Sequence, residues 1–395
     1  MPKCLTCHDC FDFEDAHFRC GNQSCVQMDD ALKAHMKSDA AQVLGTSFRP
    51  ESAGKLKPGK NGHYSGICPK CSAESNTRLC PNCHGELPPS VEEIPGYSIY
   101  VVGSKGCGKS HYLVAAFEHL ENLVFPTKLK SHFQLCTGHT KDRYRKLRNS
   151  VFQSGSLMAP TNKDDPEVRL PFLFQAKLAT HMRFFYGIKT SKSVNIAAFD
   201  TPGEVCESHT NLRHNWQCLV KGDALIFLID PTAYNQVRSQ LSQEARTSMV
   251  DTENETKAVI DNIAQLYRSM NPLSATDKIS IPTAFVLTKV DALKGLIPPS
   301  SPVWQEADHK MGFDRDHCEQ VSDAVKDFLH GLNDGAKAVM AVESGFSNYM
   351  FFAVTSLGQP PKMEAGVKSA VNINPKHVEN PWLWILFRLG LLSET

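Results

Sequence analysis

The run Gly103-Ser104-Lys105-Gly106-Cys107-Gly108-Lys109-Ser110 is built to hold phosphate. Gly103, Gly106 and Gly108 let backbone N–H groups converge on phosphate oxygens, and a helix opening at the end of the run adds its positive dipole end. Lys109 supplies a point charge for β- and γ-phosphates, and the Ser110 hydroxyl is a Mg²⁺ ligand. His111 follows in the first helical turn. The chemistry needs a strand before such a loop and a helix after it. Tyr97–Val102 is an apolar stretch that reads as the strand. Ser110–Leu123 carries Leu113, Ala116, Phe117 and Leu120 at helical spacing and reads as the helix.

Two later motifs narrow the ligand. Asp200-Thr201-Pro202-Gly203 ends the apolar stretch Val194–Phe199. An Asp there can hold Mg²⁺ through water, and a Gly there lets a backbone N–H approach the γ-phosphate. Thr288-Lys289-Val290-Asp291 ends the stretch Thr283–Leu287. A carboxylate at Asp291 can accept from guanine N1–H and the N2 amino group, a donor pair adenine lacks. The expected cofactors are therefore GTP or GDP with Mg²⁺, the metal held by Ser110 and Asp200.

GSKGCGKS, DTPG, TKVD and the Thr355-Ser356-Leu357 run, in that order, resemble the translation-factor-related GTPases, which include Ras-like proteins. The resemblance spans about residues 95–395. It implies a GTP-hydrolysing switch in which Lys289 lies along the base and Asp291 reads guanine. It implies that the backbone at Ser356 and Leu357 meets the guanine O6. Asp200 and Gly203 belong to its second switch. Thr288 stands where the family usually has Asn, and Glu204 where Ras-like proteins have the water-positioning Gln. With Lys109, Glu204 and a switch-one threonine complete the implied catalytic set. Thr161 is the choice for that threonine, with Thr180 and Thr190 as rivals. The cysteine pairs ahead of the GTPase part are similar to bacterial double-GTPase-type proteins, although one GTPase unit is present here.

Nine of the 14 cysteines fall in the first 83 residues. Cys68-x-x-Cys71 with Cys80-x-x-Cys83 has the look of a Cys₄ zinc site, and Cys4-x-x-Cys7 with Cys20 and Cys25 of a second. A nested pairing, Cys4/Cys7 with Cys80/Cys83 and Cys20/Cys25 with Cys68/Cys71, is open to the same residues. A Cys₄ site has no position for water, so its role is to fold a segment poor in apolar residues. Residues 1–90 hold ten Lys/Arg and ten Asp/Glu. Each Zn(Cys⁻)₄ adds two negative charges, which argues against nucleic acid and for a protein partner at this module.

The elements that position these residues read as α/β: a P-loop NTPase with a doubly wound, mostly parallel sheet and a small N-terminal zinc-ribbon module. Pro88-Pro89 and Pro95 divide residues 1–90 from 95–395. Further strands are expected at Val168–Leu178, Ala224–Ile229 and Tyr349–Val354. Further helices are expected at Asn254–Met270, Cys318–Leu332 and a core-packing Pro381–Leu392. Arg49–Gly66 reads as a flexible loop, and Thr127–Asp165 as a polar segment whose basic run is a solvated helix face. Ala233–Asp251 and Leu293–His317 read as surface insertions. With 41% hydrophobic residues and zero formal net charge, the chain reads as a cytoplasmic protein with a real core. No leader peptide or membrane span is expected.

Overall fold

The computed structural model describes residues 1–22, 24–36, 43–50, 65–89, 91–154, 157, 169–180, 190–241, 246, 255–274, 276–364, 367–369 and 372–395. The expected loop at Arg49–Gly66 lies almost wholly outside these residues, as does Thr161.

Seven strands form one sheet: β1 (Gly96–Gly103), β2 (His132–Leu135), β3 (Phe172–Thr180), β4 (Thr190–Asp200), β5 (Ala224–Ile229), β6 (Thr283–Leu287) and β7 (Tyr349–Ala353). The spatial order is β7-β6-β5-β1-β4-β3-β2. Five neighbours from β7 to β4 run parallel, while β3 is antiparallel to both β4 and β2. Parallel strands are covered on both faces, and β5 is buried at every residue. Alternate residues divide between two apolar clusters. Tyr100, Val102, Leu225 and Phe227 enter one; Ile99, Val101, Ile226 and Leu228 enter the other. Successive strand side chains point to opposite faces, so the clusters lie on the two sides of the sheet.

The helices supply the rest of each cluster. Helix α1 (Lys109–His119) packs Leu113, Ala116 and Phe117 against one face. Helix α2 (Gly138–Arg148) follows β2. On the other face lie α3 (Thr256–Met270), with Val259, Ile263 and Leu266, and α4 (Arg315–His330), with Val321, Val325 and Leu329. Helix α5 (Asn333–Gly345) joins them, and α6 (Asn380–Arg388) buries Trp382, Leu383 and Leu386 beside α1. The coarse expectation of α/β with a mostly parallel sheet therefore matches.

Several details differ. Strand β2 lies inside the stretch read as polar; its His-Phe-Gln-Leu alternates exposed and buried residues. The basic run there is partly engaged. Arg148 forms a bidentate pair with Glu118, at 2.6 and 2.7 Å, and Arg143 stacks 4.3 Å over Phe172. The stretches read as surface insertions bury Tyr234, Val237, Leu293, Val303, His309 and Phe313. Their apolar residues fit neither helical nor strand spacing, because they pack from short 3₁₀ turns, one four-residue α-helical turn and irregular loops.

The N-terminal residues form a three-stranded antiparallel sheet in which His17–Arg19 lies between Ser47–Phe48 and Arg78–Leu79. This register decides the cysteine grouping. Leu79 pairs with His17, so Cys80 continues toward the Cys4–Cys7 end, whereas Cys20 leaves from the opposite end. The first knuckle is fastened to the large sheet. Leu5 is 2% exposed and belongs to the apolar cluster of Tyr100, Phe199 and Trp216. Ser98 Oγ donates to the Leu5 carbonyl at 3.3 Å, and Lys3 pairs with Asp223 at 3.8 Å. His8 Nε2 lies 2.7 Å from the Tyr100 hydroxyl, whose ring stacks on Phe199 at 4.3 Å. Burial, with Lys3 and Lys221 nearby, pushes His8 down to about 3, so it meets Tyr100 as a neutral ring. Among the described residues no helix is long and apolar enough to cross a membrane.

Candidate functional site

The phosphate-loop residues link β1 to α1. Gly103, Gly106 and Gly108 have φ of 150°, 78° and 92°, where a side chain is strained. At Gly103 a Cβ would also lie 2.6 Å from the Leu228 carbonyl of β5, so the loop leaves the sheet against its neighbour's backbone. Lys109 is buried and folds back over the loop, donating to the carbonyls of Gly103 at 3.0 Å and Ser104 at 2.8 Å. Next to it, Ser110 Oγ donates to Asp200 Oδ2 at 2.6 Å. Asp200 ends β4, the parallel neighbour of β1, which is why residues 90 apart meet. Burial raises the Asp200 pKa against the pull of Ser110 and Lys109. Its Oδ1 is buried without a hydrogen-bond partner among the described residues. An orphaned carboxylate oxygen beside a loop serine is a donor set suited to a hydrated Mg²⁺.

The turn after Asp200 lies directly on the loop. A Cβ at Gly203 would stand 2.5 Å from the Lys105 nitrogen and 2.6 Å from its Cα. Glu204 pairs with Lys105 Nζ at 2.5 Å, and Glu207 accepts from the Lys105 backbone N–H at 2.9 Å.

The residues after β6 and β7 reach the other side of the loop. The buried Thr288 hydroxyl lies 3.1 Å from the carbonyls of both Cys107 and Ile229, tying β6 to the loop and to β5. Lys289, at φ 52°, extends Nζ to the Gly106 carbonyl at 3.1 Å and to Asp230 Oδ2 at 2.5 Å. Burial raises the Asp291 pKa, opposed by a hydrogen bond from Thr355. Asp291 borders a depression of about 440 Å³ also lined by Leu241, Lys294 and Pro360. Ser356 and Leu357 follow Thr355; Leu357 accepts from Asn374 N–H at 3.0 Å. His111 is partly buried near Lys289, and burial followed by that charge lowers it to about 4.

The ordered motifs thus converge at one end of the sheet. Thr161 is outside the described residues. Thr180 and Thr190 face each other at the far end of the β3–β4 ladder, away from Asp200. The sequence reading missed two residues. Asp230 comes directly after the buried β5 much as Asp200 ends β4, so its position was a readable signal. Glu207 lies in no motif and gave none.

The cysteines form two tetrads, Cys4/Cys7/Cys80/Cys83 and Cys20/Cys25/Cys68/Cys71. This corrects the sequential grouping: the nested alternative is the one the fold adopts, for the register reason given above. Four thiolates held tetrahedrally about 2.3 Å from zinc stand about 3.8 Å apart. Cys4–Cys83, Cys7–Cys80 and Cys25–Cys68 are separated by 3.8 Å, and Cys20–Cys71 by 3.4 Å. Three knuckles share one backbone pattern. Cys4, Cys68 and Cys80 each accept from the residue four positions on, and that residue (His8, Ser72, His84) has positive φ. The residues present therefore fit zinc.

A glycine-rich loop between β1 and α1, flanked in parallel by a strand that ends in Asp200, is an arrangement that can hold phosphate and a divalent cation. No protein-family model matches the chain. It is similar to a Mycolicibacterium smegmatis protein described as "Putative ESX-1 scaffolding and assembly protein SaeC", with 22% identity over 334 residues and 80% of each chain covered. Among solved structures it is similar to the Arl6 BBS3 small GTPase of Trypanosoma brucei, at TM-score 0.30 and 11% identity, covering 75% of this chain and 99% of that one. It is also similar to the signal recognition particle receptor SRb-GTP/SRX complex of Chaetomium thermophilum, at TM-score 0.28 and 15% identity, covering 69% and 94%.

Proposed function

We propose that the chain is a Mg²⁺-dependent GTP-binding and GTP-hydrolysing switch of the doubly wound P-loop class, residues 95–395, with a zinc-ribbon module at residues 1–90 that engages a protein partner. The observation that carries this reading is the meeting of Lys109, Ser110, Asp200, Thr288, Lys289 and Asp291 around one loop at one end of the sheet. The loop amides and Lys109 hold the β- and γ-phosphates. Ser110 and Asp200 hold Mg²⁺, which when bound offsets charge on the phosphate oxygens. Asp291 accepts from guanine, and the backbone at Ser356 and Leu357 meets its O6. Lys289, fixed by Asp230, lies over the base. Glu204 orients water for in-line attack on the γ-phosphate, with GDP as the leaving group. The turn at Gly203 rearranges between the two nucleotide states. The likeness to SaeC supports a role in assembling other proteins.

A second reading is a scaffold that holds GTP and barely hydrolyses it. Glu204 favours it, because a carboxylate beside the γ-phosphate repels it and because Lys105 already holds that side chain. Turnover by Glu204→Gln separates the readings. Faster hydrolysis than wild type supports the scaffold, and loss of hydrolysis supports the enzyme. The nucleotide itself is tested by titrating fluorescent GTP and ATP analogues with Mg²⁺ into wild type and Asp291→Asn. Guanine preference that moves to xanthine nucleotides in the variant is the expected result. Equal ATP binding indifferent to Asp291 would overturn the reading.

A further inference from the structure

The two carboxylates after the Asp200–Gly203 turn are set against the phosphate loop in a way that hydrolysis does not require. Glu207 Oε1 accepts from the Lys105 backbone N–H at 2.9 Å. That amide belongs to the loop whose N–H groups cradle phosphate, and a carboxylate is the chemical stand-in for a phosphate oxygen. The carboxylate arrives from the second-switch side, four residues after Gly203. Gly203 is at the same time packed on Lys105, with no room for a Cβ. Glu204 closes the contact from a third direction through Lys105 Nζ. Beneath them Ser110 is engaged directly by Asp200. Three neighbouring groups of one short segment thus grip one loop residue, Lys105.

We propose that Glu207 is an internal phosphate mimic that latches the second switch onto the loop, and that it determines discrimination between guanosine triphosphate and diphosphate. The inference rests on the GTP reading of the site. The terminal phosphate must displace the Glu207 carboxylate and shift the Gly203 turn that carries it. A diphosphate, ending one group short of that turn, leaves the latch in place. Apparent triphosphate affinity is therefore reduced by the fraction of molecules in the latched form. A charge-assisted hydrogen bond to a backbone amide is strong enough to keep that fraction near nine-tenths.

The test is a Mg²⁺-containing titration of fluorescent GDP and a non-hydrolysable GTP analogue into wild type, Glu207→Ala and Glu207→Gln, each checked for folding by circular dichroism. Glu207→Ala is expected to bind the triphosphate about tenfold more tightly with diphosphate affinity unchanged. Glu207→Gln, isosteric and uncharged, is expected to fall between. Triphosphate-to-diphosphate ratios that match wild type in both variants would overturn the latch and leave the GTP reading standing. Tightening of both nucleotides alike would also overturn it. Failure of all three proteins to bind either guanine nucleotide would overturn both.

Discussion

Replacing Cys83 by serine removes one thiol from the Cys4/Cys7/Cys80/Cys83 tetrad, and under the proposed zinc site its effect should reach the seven-stranded sheet. Structural zinc sites contribute about 10–16 kcal/mol of apparent binding energy, comparable with the whole stability of a domain. The outer knuckle should therefore open when its site fails. Leu5 would leave the apolar cluster it shares with Tyr100 and Phe199. Full burial of a leucine is worth about 1.5–3 kcal/mol. The Ser98–Leu5 and His8–Tyr100 hydrogen bonds contribute roughly 1 kcal/mol each. The unit built on the seven-stranded sheet should lose about 3 kcal/mol or more. For a unit of about 300 residues that lowers Tm by roughly 5 °C. Cys25→Ser, which breaks the inner tetrad, should leave that transition nearly in place. The assay is zinc content by metal analysis together with a melt followed by hydrogen exchange across Gly96–Tyr100. Loss of one zinc from Cys83→Ser with an unchanged melt and unchanged exchange would show that the knuckle does not support the sheet and that Leu5 and His8 contribute nothing to it.

Other perturbations have equally definite outcomes. Lys109→Ala removes the cation folded back over the loop and should abolish measurable triphosphate binding in a fluorescence titration while sparing the zinc content. Asp230→Ala frees Lys289 at one of its two contacts and should weaken guanine nucleotides about three- to tenfold, without changing the GTP-to-ATP order, by the same titration. Glu379 is buried at the start of α6. Burial pushes its pKa up, but His119 and Lys128 outweigh this and hold it at about 2. A depressed carboxyl stabilises the fold above its unfolded pKa of about 4.5, and that stability is lost as the pH falls toward 2. Glu379→Gln should flatten this acid limb in denaturant melts between pH 5 and 3; a variant with the wild-type limb would show that the pairing is weak.

Strands β5 and β6 have the bounds read from the sequence, because a buried parallel strand is a continuous apolar run with nothing polar to blur its ends. Helix α3 was equally readable, since one face carries Val259, Ile263 and Leu266 and the other is charged. Strand β2 was hidden because only two of its four residues are apolar and it lies at the sheet edge. Helix α5 was hidden because Gly335 and Gly345 dilute its pattern. Helix α1 was read as reaching Leu123; it passes into a wider π-helical turn over Leu120–Lys128, which accommodates Pro126. The convergence of Lys109, Ser110, Asp200, Thr288 and Lys289 on one loop was legible because each lies in a short motif placed at or just after a strand. The contact of Glu207 with the Lys105 N–H was not, since Glu207 lies in no motif. The cysteines announced a metal, but their partners depended on a register between His17 and Leu79 that short two- and three-residue strands do not reveal.

That register gives the ligands an order in the chain like two brackets, one inside the other. The inner four are complete once Cys71 has been made, while Cys4 waits for Cys83, 79 residues later. Closing a long loop costs little extra, about 0.6 kcal/mol per doubling, which zinc binding exceeds many times over. The bracket shuts 13 residues before Gly96, the first residue of the P-loop strand. Only then is Leu5 presented to Gly96 and Ser98. During synthesis, the first residues are therefore complete well before the central strand can meet its sheet neighbours β4 and β5. If the tetrads take zinc as proposed, chains made without it would lack the Leu5 surface that packs against β1.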